Sequence, residues 1–203
     1  MELYAGVVRG ICCLGHLSAY SSQVSSDWNQ VPVAEPELSY RIRTALEEDV
    51  PALRQIFGPT LSHPEGKGRR EAYKAATERG ELLVLERYDP RARDWHISAF
   101  IDFHIRVDDV LTIHDIGTEG DAPHSGMVKQ LVNELVRSLA PVEAGLKVRA
   151  DVASWNEIIA SIPGFELEGQ REYRRPHYLN VWKWTREAAA QAARAARAPR
   201  FRR

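Results

Sequence analysis

The chain has 203 residues, 44% of them hydrophobic and 27% charged, with a formal net charge of -1. This size and balance fit one soluble domain with a proper core plus flanking segments, and the near-zero charge excludes a whole-molecule field that would gather nucleic acid. Its two cysteines, Cys12 and Cys13, are adjacent, which excludes a disulfide framework and metal-type cysteine spacing.

That cysteine usage leans towards a reducing, intracellular setting, and a cytoplasmic location is expected. The opening stretch, residues 1–22, is moderately apolar but lacks a basic leader and is interrupted by Arg9, so neither a signal peptide nor a membrane span is read there. Residues 21–38 are rich in Ser, Gln and Pro, the composition of a connecting segment. Three parts follow from this: an N-terminal extension over 1–38, a folded domain over 39–185 and an Arg/Ala-rich tail over 186–203.

Within the domain, "YRIR" at 40–43 reads as a short strand. The next run, "TALEEDVPALRQIF", reads as a helix whose first turn gathers Glu47, Glu48, Asp49 and Pro51. A second helix is expected from about Gly68 to Glu78. Three strands then follow at 81–86, 95–106 and 110–117, separated by Asp, Pro and Arg loops, which predicts an antiparallel meander. From Ser125 to Leu139 the apolar positions Met127, Val128, Leu131, Val132, Leu135, Val136 and Leu139 form a helical stripe. A strand at 146–152 follows, and strand, helix, strand with one crossover predicts one parallel pair. Ser154 with Glu157 three residues later predicts a capping box opening a short helix that Pro163 and Gly164 stop. "FELEGQREYR" and "HYLNVWKW" read as two last, paired strands.

The loop "IGTEGDAPHSGMVKQLV" (116–132) poses the functional question, because a helix N-terminus offers free N–H groups and positive partial charge to an anion. Two readings of this turn stay open. In one, the amides of Ser125, Gly126, Met127 and Val128 hold a phosphate, helped by His124 and Lys129. In the other, Asp121 caps the helix with Ala122 and Pro123 as its first residues.

The element order resembles the GNAT acetyltransferase superfamily, over residues 40–184. "YRIRTALEEDVPALRQIF" resembles the family's opening strand and helix, and "VASWNEIIASIPGFELEGQREY" its closing pattern of an Asn-headed helix, a Gly-Phe and the last strands. The resemblance implies an α/β fold: a single GNAT-like domain, its sheet mostly antiparallel with one parallel pair, flanked by helices. It implies acetyl-CoA as co-substrate and a small-molecule or protein amine as acceptor. Ile116, the 124–129 turn and Asn156, which matches a position that touches the pantetheine arm, become the cofactor-binding set. His114 and Asp115 become the catalytic candidates, since they sit near the end of the strand before the loop. In a regular strand they point to opposite faces, so at most one of the two should face the cleft. His104 and Asp102 on the preceding strand read as sheet-surface residues. No metal site is expected. Pro123 stands where the family carries Arg or Gln, and Ala160 near where a Tyr often protonates the thiolate.

Two rival readings remain. One is a degenerate member of the fold that binds CoA or a small metabolite without turnover. The other is an interaction protein whose tail, with six Arg against one Glu, docks on RNA or an acidic partner; residues 1–38 read either as a subunit-pairing arm for a homodimer or as a disordered segment. The five Trp read as core or interface residues.

Overall fold

The computed structural model describes residues 39–54, 59–65, 72–173, 175 and 177–197. The expectations for residues 1–38, including both cysteines and Trp28, lie outside them.

Seven strands form one sheet: β1 (Tyr40–Thr44), β2 (Leu82–Asp89), β3 (Asp94–Ile105), β4 (Val110–Thr118), β5 (Glu143–Arg149), β6 (Phe165–Glu172) and β7 (Tyr178–Thr185), in the order β1-β2-β3-β4-β5-β7-β6. Every neighbouring pair is antiparallel except β4 and β5. The helices are α1 (Val50–Leu53), α2 (Ala72–Glu78), α3 (Ser125–Leu139), α4 (Ala153–Ala160) and α5 (Arg186–Arg197). The long first helix expected after β1 is a 3-10 turn, Glu47–Asp49, followed by the single turn of α1, with Pro51 at its start. The strand expected at 146–152 is set back to Glu143–Arg149, because the register with β7 begins at Glu143 opposite Thr185.

The period-2 alternation of the strands sorts their side chains onto two faces. Leu82, Val84 and Phe100 join Leu53, Tyr73 and Ala76 of α1 and α2 in one buried cluster, whereas Leu85, Ala99, Ile101 and Phe103 join the stripe of α3 and Trp155, Ile158 and Ile159 of α4 in the other. Beyond β4 the sheet continues this second cluster through Ala144, Leu146 and Val148 of β5 and Trp182 and Trp184 of β7. The alternate residues Gly145, Lys147 and Arg149 of β5, with Val181 and Lys183 of β7, turn towards a cleft. Trp155, Trp182 and Trp184 are thus core residues, while Trp95 lies at the sheet surface with the Arg41 guanidinium 4.5 Å above its ring.

The helix ends are fixed by particular groups. Ala140 closes α3 in the left-handed region at φ 45, its N–H donating to Val136, and Arg186 at the head of α5 donates to the Ala140 carbonyl at 2.7 Å. Gly164 has φ +94 and passes so close to Trp184 that a Cβ would stand 2.5 Å from its indole nitrogen, so only glycine fits this turn. The capping box expected at Ser154 is not formed. The N-cap of α4 is Val152, because the Asn156 amide donates to the carbonyls of both Arg149 and Val152 (2.8 Å each) and draws the helix start back.

Candidate active site

Strands β4 and β5 pair over three rungs, Val110 to Glu143, Leu111 to Ala144 and Thr112 to Gly145. Further along they diverge, because β5 stays in register with β7 to its last residue while β4 holds to β3 through Thr118. The divergence opens a cleft of about 870 Å³, lined along β4 from Val110 to Asp115 and closed on other sides by β5, β7, Tyr73 of α2 and the segment Leu61–His63.

One irregularity places the two catalytic candidates. The β3–β4 register jumps from Asp102 opposite Asp115 to Phe103 opposite Ile113, so His114 is an extra, bulged residue. The expectation that at most one of His114 and Asp115 faces the cleft holds for an unbroken strand; with the bulge, both line it. His114 is exposed, and its carbonyl accepts a hydrogen bond from the Ser62 hydroxyl. Asp115 is buried, 7% exposed, and its Oδ1 accepts from the Ser62 N–H at 2.9 Å and from the Ile116 N–H at 3.0 Å. Burial pushes the Asp115 carboxyl above the usual carboxylate range, against the opposing pull of the Ser62 amide and Thr60 hydroxyl. Asp102, expected at the sheet surface, is buried directly across from Asp115 and also lines the cleft. His104 does stand at the surface, paired with Glu81.

Tyr73, His63 and Ser62 were missed as cleft residues. They fall in the stretch "HPEGKGRREAYKA" and its border, whose sequence shows only charge and helix propensity. Burial, then the charges of Asp115 and Asp102, raises the Tyr73 phenol well above its ordinary range, so it stays protonated.

The amino end of α3 is built by two hydrogen bonds. His124 is the N-cap in extended conformation: its N–H donates to the Thr118 hydroxyl at 3.0 Å, and its Nδ1 accepts the Met127 N–H at 3.4 Å. The Asp121 cap is therefore not the one used, and Ala122 and Pro123 precede the helix. Of the four amides expected to face an anion, Val128 donates to the His124 carbonyl and Met127 to the ring, while those of Ser125 and Gly126 meet no acceptor among the described residues. Lys129 follows one turn on, half-buried. Glu119, whose charge should repel a diphosphate, is held by Arg87 at 2.9 Å.

These parts are not all in one place. His114 and Asp115 line the cleft; the α3 amides and Asn156 do not. Between them along β4 sits Ile116, fully buried, its carbonyl accepting the Leu61 N–H at 2.8 Å. Asn156 spends its whole side-chain amide: besides its two donations, its Oδ1 accepts from Asn180 at 2.8 Å and from the Trp182 indole at 3.0 Å, binding α4 to β5 and β7. Among the described residues, no helix is long and apolar enough to cross a membrane.

A seven-stranded mixed sheet with one parallel pair that splays ahead of α3 is the fold of the GNAT acetyltransferases. Solved structures with this fold align over most of the chain. A GNAT-family acetyltransferase from Bacillus cereus superposes with a TM-score of 0.59 at 13% identity, covering 72% of this chain and 97% of the other. The ribosomal-protein-S18-alanine N-acetyltransferase of Escherichia coli gives 0.56 at 18% identity, covering 72% and 93%. The yncA protein of Salmonella typhimurium, solved with its cofactor acetyl-CoA, gives 0.54 at 15%, covering 72% and 94%. No family model matches the sequence, and no curated protein matches it.

Proposed function

We propose that the chain is an acyl-CoA-dependent N-acyltransferase that passes an acetyl group from acetyl-CoA to an amine on a small molecule or a protein. The observation that carries this reading is the slot between β4 and β5, whose pairing ends after three rungs towards a helix end where the Ser125 and Gly126 amides meet no acceptor among the described residues. Those two N–H groups, the positive end of α3 and Lys129 suit a diphosphate. Neutralisation of Glu119 by Arg87 removes one of the two nearby charges that would oppose it. At 3.4 Å the His124 bond to the Met127 amide is long, so an anion can take that donor at small cost.

Bound acetyl-CoA supplies the acetyl group as a thioester. The chain's task is then to hold the amine, remove its proton and keep water out. His114, exposed in the cleft on a bulge, is the group we assign to proton removal. Asp115, next to it in the cleft, fixes the bend of β4 at the bulge by accepting the Ile116 N–H. Ile116 presents the β4 edge to the arm, and Asn156 holds the β5 wall through the Arg149 carbonyl.

A melting curve with acetyl-CoA tests the binding half. At a hundredfold excess over Kd the stabilisation is about 2.7 kcal/mol, which for a domain of this size is roughly 5–10 °C; no shift with any acyl-CoA would defeat the reading. A screen of amines with labelled acetyl-CoA tests turnover. With an acceptor in hand, His114→Gln should lower kcat about 10²–10³-fold. Firm CoA binding without transfer to any amine would instead assign the chain to the non-catalytic members of the fold.

A further inference from the structure

We propose that Thr60–Glu65 is a displaceable strap, which holds the slot between β4 and β5 shut until the pantetheine arm of coenzyme A takes its place on the β4 edge. The inference rests on the coenzyme A reading above and concerns how that site is regulated.

The strap occupies the slot at backbone level. The Leu61 N–H donates to the Ile116 carbonyl at 2.8 Å, the Ser62 N–H to the Asp115 carboxylate at 2.9 Å, and the Ser62 hydroxyl to the His114 carbonyl. The Leu61 side chain is 2% exposed and belongs to the buried cluster that holds α3, β5 and α4, and with Ser62 and His63 it also lines the cleft. Leu61 therefore plugs the space between the cleft and the core behind it. At its far end the strap is tied across to β5 by an ion pair of Glu65 with Arg149.

Any arm that joins phosphates on α3 to a reacting carbonyl beside His114 must pass Ile116, since Ile116 lies between them on β4. The pantetheine arm carries two secondary amides. Their N–H groups match the acceptors that the strap now serves, the carbonyls of Ile116 and His114. Strap and arm are thus alternative donors to one edge, and both cannot occupy it.

The strap is also built to leave. Thr60 and His63 close a turn of their own, with the Thr60 N–H to the His63 carbonyl at 3.2 Å and the His63 N–H to the Thr60 hydroxyl at 3.1 Å, so the segment keeps internal bonds when it moves. Pro59 precedes it and Pro64 lies within it, and neither brings an N–H, so a continuous ladder to β4 cannot form there. Its ion pair is at the surface, with Glu65 59% exposed, where such pairs hold weakly. Release withdraws the Ser62 donor from Asp115, which couples opening of the slot to exposure of a carboxylate beside the amine.

A strap in place about nine-tenths of the time weakens apparent affinity about tenfold. The test is titration calorimetry with free coenzyme A together with hydrogen exchange on the full chain. Leu61→Ala, which withdraws the plug, should tighten coenzyme A binding about tenfold, and the milder Ser62→Ala should tighten it by a smaller factor. If Leu61→Ala does not fold, Ser62→Ala decides alone. In the wild type, saturating coenzyme A should speed exchange of the Leu61 and Ser62 amides about tenfold, the reverse of ordinary ligand protection. If coenzyme A binds and these amides keep or gain protection, or if neither variant binds tighter, the strap inference is overturned and the cofactor reading stands. If coenzyme A binds neither wild type nor variants, both are overturned.

Discussion

Asp49 and Asp115 are equally buried carboxylates, at 8% and 7% exposure, in opposite surroundings. Asp49, at the end of the 3-10 turn after β1, receives two guanidinium N–H groups from Arg43 at 2.6 and 2.9 Å and the Leu46 N–H at 2.7 Å. Arg43 also reaches Glu86 at 2.6 Å, so one cation bridges two carboxylates across β1 and β2. Asp115 is served by neutral donors: two backbone amides and a threonine hydroxyl. The Arg43 hydrogen bonds hold Asp49 below the usual carboxylate range, while burial drives Asp115 above it. Charge is locked in place where the sheet is closed, and a carboxyl able to change protonation is kept where the sheet splays.

The largest effect should come from breaking the locked side. Arg43→Ala leaves Asp49 and Glu86 buried without their shared guanidinium and should cost about 3 kcal/mol in urea unfolding. A loss below about 1 kcal/mol would put the network in the class of exposed pairs and erase the contrast. The next effect is one of sign. Asp49 contributes stability that is present above its ordinary value of 3.8 and is lost as pH falls through its lower folded value. Asp115 behaves oppositely: its contribution is present below the ordinary value and is lost as pH rises through the raised folded value. Melting curves from pH 3 upward should therefore show Asp115→Asn gaining on the wild type as pH rises, and Asp49→Asn losing to it. Parallel curves for the two variants would mean that the neutral donors around Asp115 do the work of a cation.

Much of the fold was legible because its signals are local. The stripe from Met127 to Leu139 marked the body and the end of α3, and the Gly and Pro turns separated strands that the structure pairs in the expected antiparallel and parallel senses. What escaped the sequence depends on partners far along the chain. Asp121 and His124 are both polar residues ahead of the same helix, and the choice between them falls to His124 because the Thr118 hydroxyl holds its N–H. Ser154 and Glu157 have capping-box spacing, yet Asn156 sets the helix start through carbonyls on β5 and at Val152. The bulge at His114 arises from the register with β3 and leaves no mark in the alternation of β4. The strap joins residues 53 positions apart in sequence, and nothing in "TLSHPE" announces its partner.

The smallest effect concerns the α3 amino end, where the same contrast can be imposed by substitution. At the 3-10 turn a carboxylate, Asp49, takes the Leu46 amide; at α3 an imidazole nitrogen, which brings no negative charge, takes the Met127 amide. His124→Asp would exchange the second kind of cap for the first. Asp is among the better N-caps and its charge favours the positive end of the helix, so the variant should be more stable by about 0.5–1 kcal/mol. The same charge would stand beside the Ser125 and Gly126 amides and compete with a diphosphate for them. The melting shift with acetyl-CoA should accordingly shrink in His124→Asp although the apo protein melts higher, whereas His124→Ala should lose up to about 1 kcal/mol and keep the shift. If His124→Asp binds acetyl-CoA as tightly as the wild type, the phosphates do not sit on α3, and an uncharged cap there serves the helix alone.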